Sequence, residues 1–150
     1  MLKSLDPLLN ADVLYALRSM GHGDELIICD TNFPADAVAH ETVLGQLLRI
    51  DASAARVAKA VLSVMPLDSF VDKPAGRMEI VGKPNEIPPV QAEVQVEIDK
   101  AEGKSWPMGS IERFAFYDLA KKAYCVIQTA DRRFYGCFFF KKGVIPPDAP

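Results

Sequence analysis

Of the two histidines in the chain, His22 stands between two glycines in the run Gly21-His22-Gly23-Asp24. An imidazole can donate or accept a proton near neutral pH. Flanking glycines let the backbone turn sharply and let a small ligand approach it closely. The alternative is a histidine that only caps the preceding helix or faces solvent. Asp30 follows directly after the apolar run Leu26-Ile27-Ile28-Cys29. A carboxylate at the end of a buried strand sits where open α/β sheets commonly place ligand chemistry. It can equally close a turn on its own backbone. At a strand rise of ~3.3 Å per residue, the intervening run can separate the two side chains by roughly 15 Å. They are therefore expected at different edges of a site, or as partners across a subunit boundary.

Arg113 opens the segment Arg113-Phe114-Ala115-Phe116-Tyr117. Its rigid fork of donors suits vicinal hydroxyls or a carboxylate; the alternative is a surface ion pair with Glu112 or Asp118. Tyr135, followed by Gly136, offers a hydroxyl and a ring face, a useful pair against a sugar, or else is an ordinary strand aromatic. His22, Asp24, Asp30 and His40 match no compact metal-ligand spacing, so no metal is expected. No Gly-x-Gly-x-x-Gly or P-loop pattern and no Gly-x-Ser-x-Gly elbow occurs, so neither nucleotide cradling nor a serine nucleophile is indicated. Cys29, Cys125 and Cys137 are widely spaced in apolar runs and read as small buried hydrophobes in reduced form.

These residues must be positioned by local elements. Helical spacing predicts a helix over 10–20, capped by Asn10, with Gly21 as its left-handed terminus. Continuous apolarity predicts a strand over 25–29, buried on both faces. Residues 36–50 give no clear pattern. A helix capped by Asp51 or Ser53 runs toward Pro66, short strands are expected at 67–71 and 78–81, and a helix covers about 89–102 with Gly103 after it. Residues 111–122 read as a helix. Runs 123–129 and 134–141 read as strands joined by a hairpin loop at Ala130-Asp131-Arg132-Arg133. Phe138, Phe139 and Phe140 break alternation, which predicts a strand covered on both faces, one of them by a neighbouring subunit. Alternating helices and strands imply a three-layer α/β/α single domain, residues 1–150, with a mixed sheet.

Composition agrees. The chain has 150 residues, 49% hydrophobic and 25% charged, enough apolar surface to exclude dominant disorder. With 17 basic against 20 acidic residues the net charge is −3, which argues against a nucleic-acid partner. No apolar run reaches the ~20 residues of a membrane span, and no signal-peptide pattern is seen. The chain is expected to be soluble and cytoplasmic.

Taken together, the segments Met20 to Glu25, Asp30 with Phe33-Pro34, Arg113 to Tyr117, Tyr135-Gly136 and Lys141-Lys142-Gly143 resemble the RbsD/FucU family of ribose pyranases and L-fucose mutarotases, nearly end to end and closer to the fucose branch. The resemblance implies interconversion of the cyclic forms of a free monosaccharide without cofactor or metal. It implies His22 as the catalytic acid/base, with Asp30, Arg113, Tyr135, Gly136 and Cys137 as sugar-binding positions. It also implies a ring-like homo-oligomer, often a decamer, with sites near subunit contacts. L-Fucose is the expected sugar, ribose or a related sugar the alternative; Phe33 or Trp106 would cover a 6-methyl group. Cys137 departs from the family's usual asparagine, and a thiol is a weak donor and acceptor, so sugar preference is what the change affects. The stretch around Pro88-Pro89 also looks different. The competing readings are a non-catalytic sugar-binding protein serving transport or its regulation, and a structural assembly protein.

Overall fold

The structure, a computed structural model, describes residues 1–150. Three of its five helices begin where a side chain satisfies orphan N–H groups of the first turn. The Asn10 side chain accepts from Val13 N at 3.0 Å and opens α1 (Ala11–Ser19). Ser53 accepts from Arg56 N and opens α3 (Ala54–Leu62), which ends short of Pro66. Pro89 occupies the first turn of α4 (Pro89–Glu102), and Gly103 closes it at φ +69°. Gly21 is not left-handed, as the sequence predicted; α1 ends in extended Met20, and the positive φ of +86° falls on Gly23. The segment without a clear pattern holds a short α2 (Ala35–Ala39) and a two-residue β2 (Leu48–Arg49).

Two predicted boundaries move. Ile111 belongs to β4 (Gly109–Ile111), and α5 (Arg113–Lys121) starts only after Glu112, whose carboxylate accepts from Phe114 N and Ala115 N at 3.0 and 2.9 Å. Those two bonds hold the Glu112 carboxyl below its usual range. The strands expected at 67–71 and 78–81 are replaced by β3 (Ala75–Met78), while Leu67 forms only an isolated bridge with Lys142. Ala75-Gly76 is a poor strand former, so tertiary packing decides here. A Cβ on Gly76 would lie 2.2 Å from a Phe139 ring atom, so the missing side chain is the space that ring fills.

With β1 (Glu25–Cys29), β5 (Cys125–Gln128) and β6 (Phe138–Lys141) the strands form one mixed sheet in the order β2-β5-β1-β6-β3-β4. β1 runs parallel to β5 and antiparallel to β6. β5 and β6 are therefore not a hairpin, as expected from sequence; β1 lies between them. A hydrophobic cluster with Val13, Val57, Val61, Val94 and Ile98 packs α1, α3 and α4 on one face, which receives Leu26, Ile28, Phe138 and Phe140. The other face receives Ile27, Cys29, Val126 and Phe139 beneath α2 and α5. Phe138, Phe139 and Phe140 are thus all buried by the chain's own two helical layers; no neighbouring subunit is needed to cover them.

Candidate functional site

Because β1 separates β5 from β6, the chain leaving β5 must cross the C-terminal end of β1 before it can enter β6. That crossing, residues 129–137, lies directly over Asp30. Thr129 N and Oγ1 both donate to Cys29 O at 2.9 Å, and Thr31 N donates to Asp131 O at 2.9 Å. Buried Asp131 fixes the middle: it accepts from Ala54 N and takes two nitrogens of Arg133 at 3.0 and 2.9 Å. The Arg133 hydrogen bonds, foremost, lower the Asp131 carboxyl to about 2.

The Asp30 carboxylate, 3% exposed, gathers the rest. Oδ1 accepts from Asn32 N and Phe33 N at 2.9 and 3.0 Å. Oδ2 accepts from Gly136 N at 3.0 Å and from Cys137 Sγ at 3.5 Å. A carboxylate has about four lone-pair sites, and here the protein fills them. Gly136 is the residue that fits, because a Cβ would meet Asp30 Cβ and Val90 Cγ2 at 3.3 Å. Burial pushes the Cys137 thiol well above its ordinary range, so it stays protonated and donates. Tyr135 adopts φ +63°, sparsely populated for a tyrosine; its carbonyl accepts from Gln91 Nε2 at 3.0 Å and its Oη accepts from Val81 N at 3.3 Å.

A concavity of about 280 Å³ opens over this layer. Asp30, Tyr135 and Cys137 line it, together with Arg113 and Tyr117 from α5. Arg113 Nε donates to Tyr117 Oη at 3.3 Å, which raises the guanidinium's already high pKa. Tyr117 in turn stacks on Phe33, centroids 5.4 Å apart. The result is a small cup with an aromatic wall, one fixed cation and several hydroxyl-sized polar contacts, in keeping with a small polyhydroxy ligand.

His22 is elsewhere. It precedes β1, and the strand's five residues at ~3.3 Å each put roughly 16 Å between the two ends of the strand. Its Nε2 lies 3.0 Å from Asp68 Oδ1, and its ring meets Phe70 edge-on at 5.2 Å. Asp68 is 3% exposed; its Oδ1 also accepts from Phe70 N at 3.0 Å. That backbone bond first, then the His22 contact, keeps the carboxyl below its usual range. A carboxylate only accepts, so the hydrogen-bond network assigns the proton to Nε2 and leaves Nδ1 as the acceptor. The glycines do the backbone work: Gly21 N donates to Asp24 Oδ2 at 2.7 Å and Gly23 N to Lys142 O at 2.8 Å.

The model of the RbsD / FucU transport protein family matches residues 3–145. The chain is 38% identical over 149 residues to human fucose mutarotase, covering 96% of this chain and 94% of that one. It superposes on the crystal structure of Atu2016, a protein provisionally assigned as sugar binding, with a TM-score of 0.96 at 64% identity, covering 97% of both chains. The fucose mutarotase of Streptococcus pneumoniae in complex with L-fucose gives a TM-score of 0.85 at 30% identity, covering 97% of this chain and 100% of that one. The chain belongs to the RbsD/FucU family.

In this RbsD/FucU chain the structure brings Asp30, Arg113, Tyr135, Gly136 and Cys137 together and sets His22 apart from them. Trp106 does not join Phe33 at the cup: its Nε1 donates to Asp72 O, and Lys104 Nζ lies 3.9 Å above its ring. His40 is an exposed residue whose Nδ1 meets Asp36 O at 2.7 Å. Sequence reasoning did not single out Asp68 or Gln91. Asp68 lies in a segment read as strand, and Gln91 in a helix read only from its bounds. The contacts that draw them to the site are distant: Asp68 meets His22 across 46 residues and Gln91 meets Tyr135 across 44.

Proposed function

We propose that the chain is a cofactor-independent mutarotase that interconverts the cyclic forms of a free monosaccharide, L-fucose first, by acid/base catalysis at His22. The observation that carries this reading is the nearly full-length similarity to proteins named fucose mutarotase, at 33–38% identity. The geometry gives it a mechanism. Anomer exchange needs a proton removed from the anomeric hydroxyl and one delivered to the ring oxygen, so that the C1–O5 bond opens to the free aldehyde and recloses on either face. His22 Nδ1 takes the first proton, with Asp68 holding the ring and stabilising the imidazolium. Tyr135 Oη already accepts from Val81 N, which leaves its own proton available for the ring oxygen, directly or through water. Arg113 and the Tyr135-Gly136-Cys137 backbone orient the hydroxyls. Asp30 acts mainly by holding that backbone, its oxygens being engaged from within.

His22 and the cup stand at opposite ends of β1, so His22 of one copy serves the cup of another in a ring-like homo-oligomer, a decamer in our reading. Exposed aromatics flank both halves: Phe70 beside His22, and Phe114 and Phe134 beside the cup. These are surfaces that a second copy would cover. We place the enzyme in the cytoplasm; no helix is long and apolar enough to cross a membrane.

The name of Atu2016, a protein sharing 64% of residues, favours a second reading, a sugar-binding protein without catalysis. NMR exchange spectroscopy on L-fucose, D-ribose, L-rhamnose and D-galactose separates the two. The mutarotase reading expects accelerated exchange of one sugar that His22→Ala lowers by about 10²–10⁴-fold without loss of fold. Saturable binding with no acceleration would select the binding protein.

A further inference from the structure

A buried polar chain lies behind the wall of the cup, and the proposed proton transfers make no use of it. Arg77 on β3 is 7% exposed and forms no ion pair. Its Nη1 donates to Gln91 Oε1 at 3.2 Å and its Nη2 to Pro84 O at 3.0 Å. Gln91, fully buried in the first turn of α4, spends its other end on two carbonyls: Nε2 donates to Met78 O at 2.8 Å and to Tyr135 O at 3.0 Å.

The orientation of this amide is forced. Guanidinium only donates, so the amide oxygen must face Arg77 and the amide nitrogen must face the carbonyls. Both carbonyls belong to residues that line the cup. One comes from the end of β3, the other from the crossing segment. Met78 N already donates to Cys137 O at 3.0 Å, and this side chain adds a second tie, from α4, between the two backbone segments. It does so at Tyr135, whose left-handed φ persists only where its surroundings over-determine it.

We propose that Gln91, oriented by Arg77, is a positioning and specificity-determining residue that fixes the Tyr135 backbone against Met78 and so the fit of the sugar. This rests on the mutarotase reading of the same site. The pair touches no reacting atom. It acts through the Tyr135-Gly136-Cys137 backbone, while the Tyr135 hydroxyl stays held by Val81 N, so its loss should appear in sugar binding more than in turnover.

The test uses the full chain with Gln91→Glu, Gln91→Leu and Arg77→Met. Gln91→Glu is close in shape and keeps the Arg77 contact, but turns an oxygen toward the two carbonyls. Exchange of L-fucose is measured by NMR over a range of sugar concentrations, together with hydrogen exchange at the Gly136 and Ile27 amides. Gln91→Glu should raise KM at least tenfold with kcat within threefold, and speed exchange at Gly136 at least tenfold while Ile27 is unchanged. Arg77→Met, which frees the amide to flip, should act in the same direction by severalfold. Gln91→Leu should follow Gln91→Glu in KM with a larger loss of thermal stability. If Gln91→Glu lowers the Tm but leaves KM and Gly136 exchange at wild-type values, the pair is only core structure and the proposal is overturned. If the wild type accelerates exchange of no sugar, the mutarotase reading fails, and Gly136 exchange still decides whether Gln91 positions the wall.

Discussion

Replacing Asp30 by asparagine tests whether this carboxylate is chiefly an anchor or chiefly a ligand. The carboxylate accepts on both oxygens: two backbone amides on Oδ1, one amide and a thiol on Oδ2. An asparagine accepts on one side only. In one orientation its NH₂ faces Gly136 N–H, donor against donor; in the other it faces the amides of Asn32 and Phe33. The first orientation orphans one amide rather than two, because the Cys137 sulfur can turn to accept from the new NH₂. It leaves one buried N–H unpaired, at about 1–3 kcal/mol, and removes charge assistance from two more bonds at about 0.5–1 kcal/mol each. The total is roughly 2–5 kcal/mol. For a chain of about 150 residues, at ~2–4 °C per kcal/mol, this lowers the Tm by roughly 4–20 °C. The assay is thermal unfolding followed by circular dichroism, with Gly136 amide exchange as the local probe. Gly136 should lose protection even where global unfolding is not reached. An Asp30→Asn variant with wild-type Tm and a protected Gly136 amide, yet defective in sugar binding, would refute the anchoring argument and make Asp30 a direct sugar ligand.

Asp68→Asn should leave the chain folded but lower the rate of sugar exchange at least tenfold, because an amide can donate to His22 Nε2 and reverse the tautomer; an unchanged rate would remove Asp68 from the mechanism. Asp131, held at about 2 foremost by Arg133, is more acidic folded than unfolded. It therefore contributes stability that is fully present above pH ~4 and lost as pH falls toward 2, on the order of 2 kcal/mol. Acid titration of unfolding free energy should show that loss, and Asp131→Asn should lower stability at neutral pH while flattening the slope between pH 4 and 2. Gly76→Ala should destabilise by at least ~1–3 kcal/mol through overpacking on Phe139, read from denaturant midpoints; a neutral substitution would mean that β3 is free to shift.

Much of the fold could be read locally. Asn10, Ser53 and Gly103 mark helix ends by their own chemistry, and the apolar run 25–29 marks a strand buried on both faces. Where reading failed, the deciding contact was distant. β3 forms around Gly76 because Phe139 fills the space above it. The apparent hairpin at 130–133 opens because β1 inserts between β5 and β6. Trp106 looked as available as Phe33 to an incoming sugar, yet the fold places it away from the cup.

The sequence by itself supplied the candidate groups and their chemical types: a glycine-flanked imidazole, a carboxylate after a buried strand, an arginine on an aromatic helix and a Tyr-Gly-Cys segment. Side-chain type sets what a group can donate, accept or titrate, and that needs no fold. Only the tertiary structure decided which of them meet. It gave His22 a buried carboxylate at one end of β1 and built the cup at the other. It set Gln91 to hold Tyr135 and saturated Asp30 with donors from the crossing segment. The physical reason is that hydrogen bonds are directional and short in range, so their partners are fixed by strand order, and strand order depends on how the whole sheet buries its two faces.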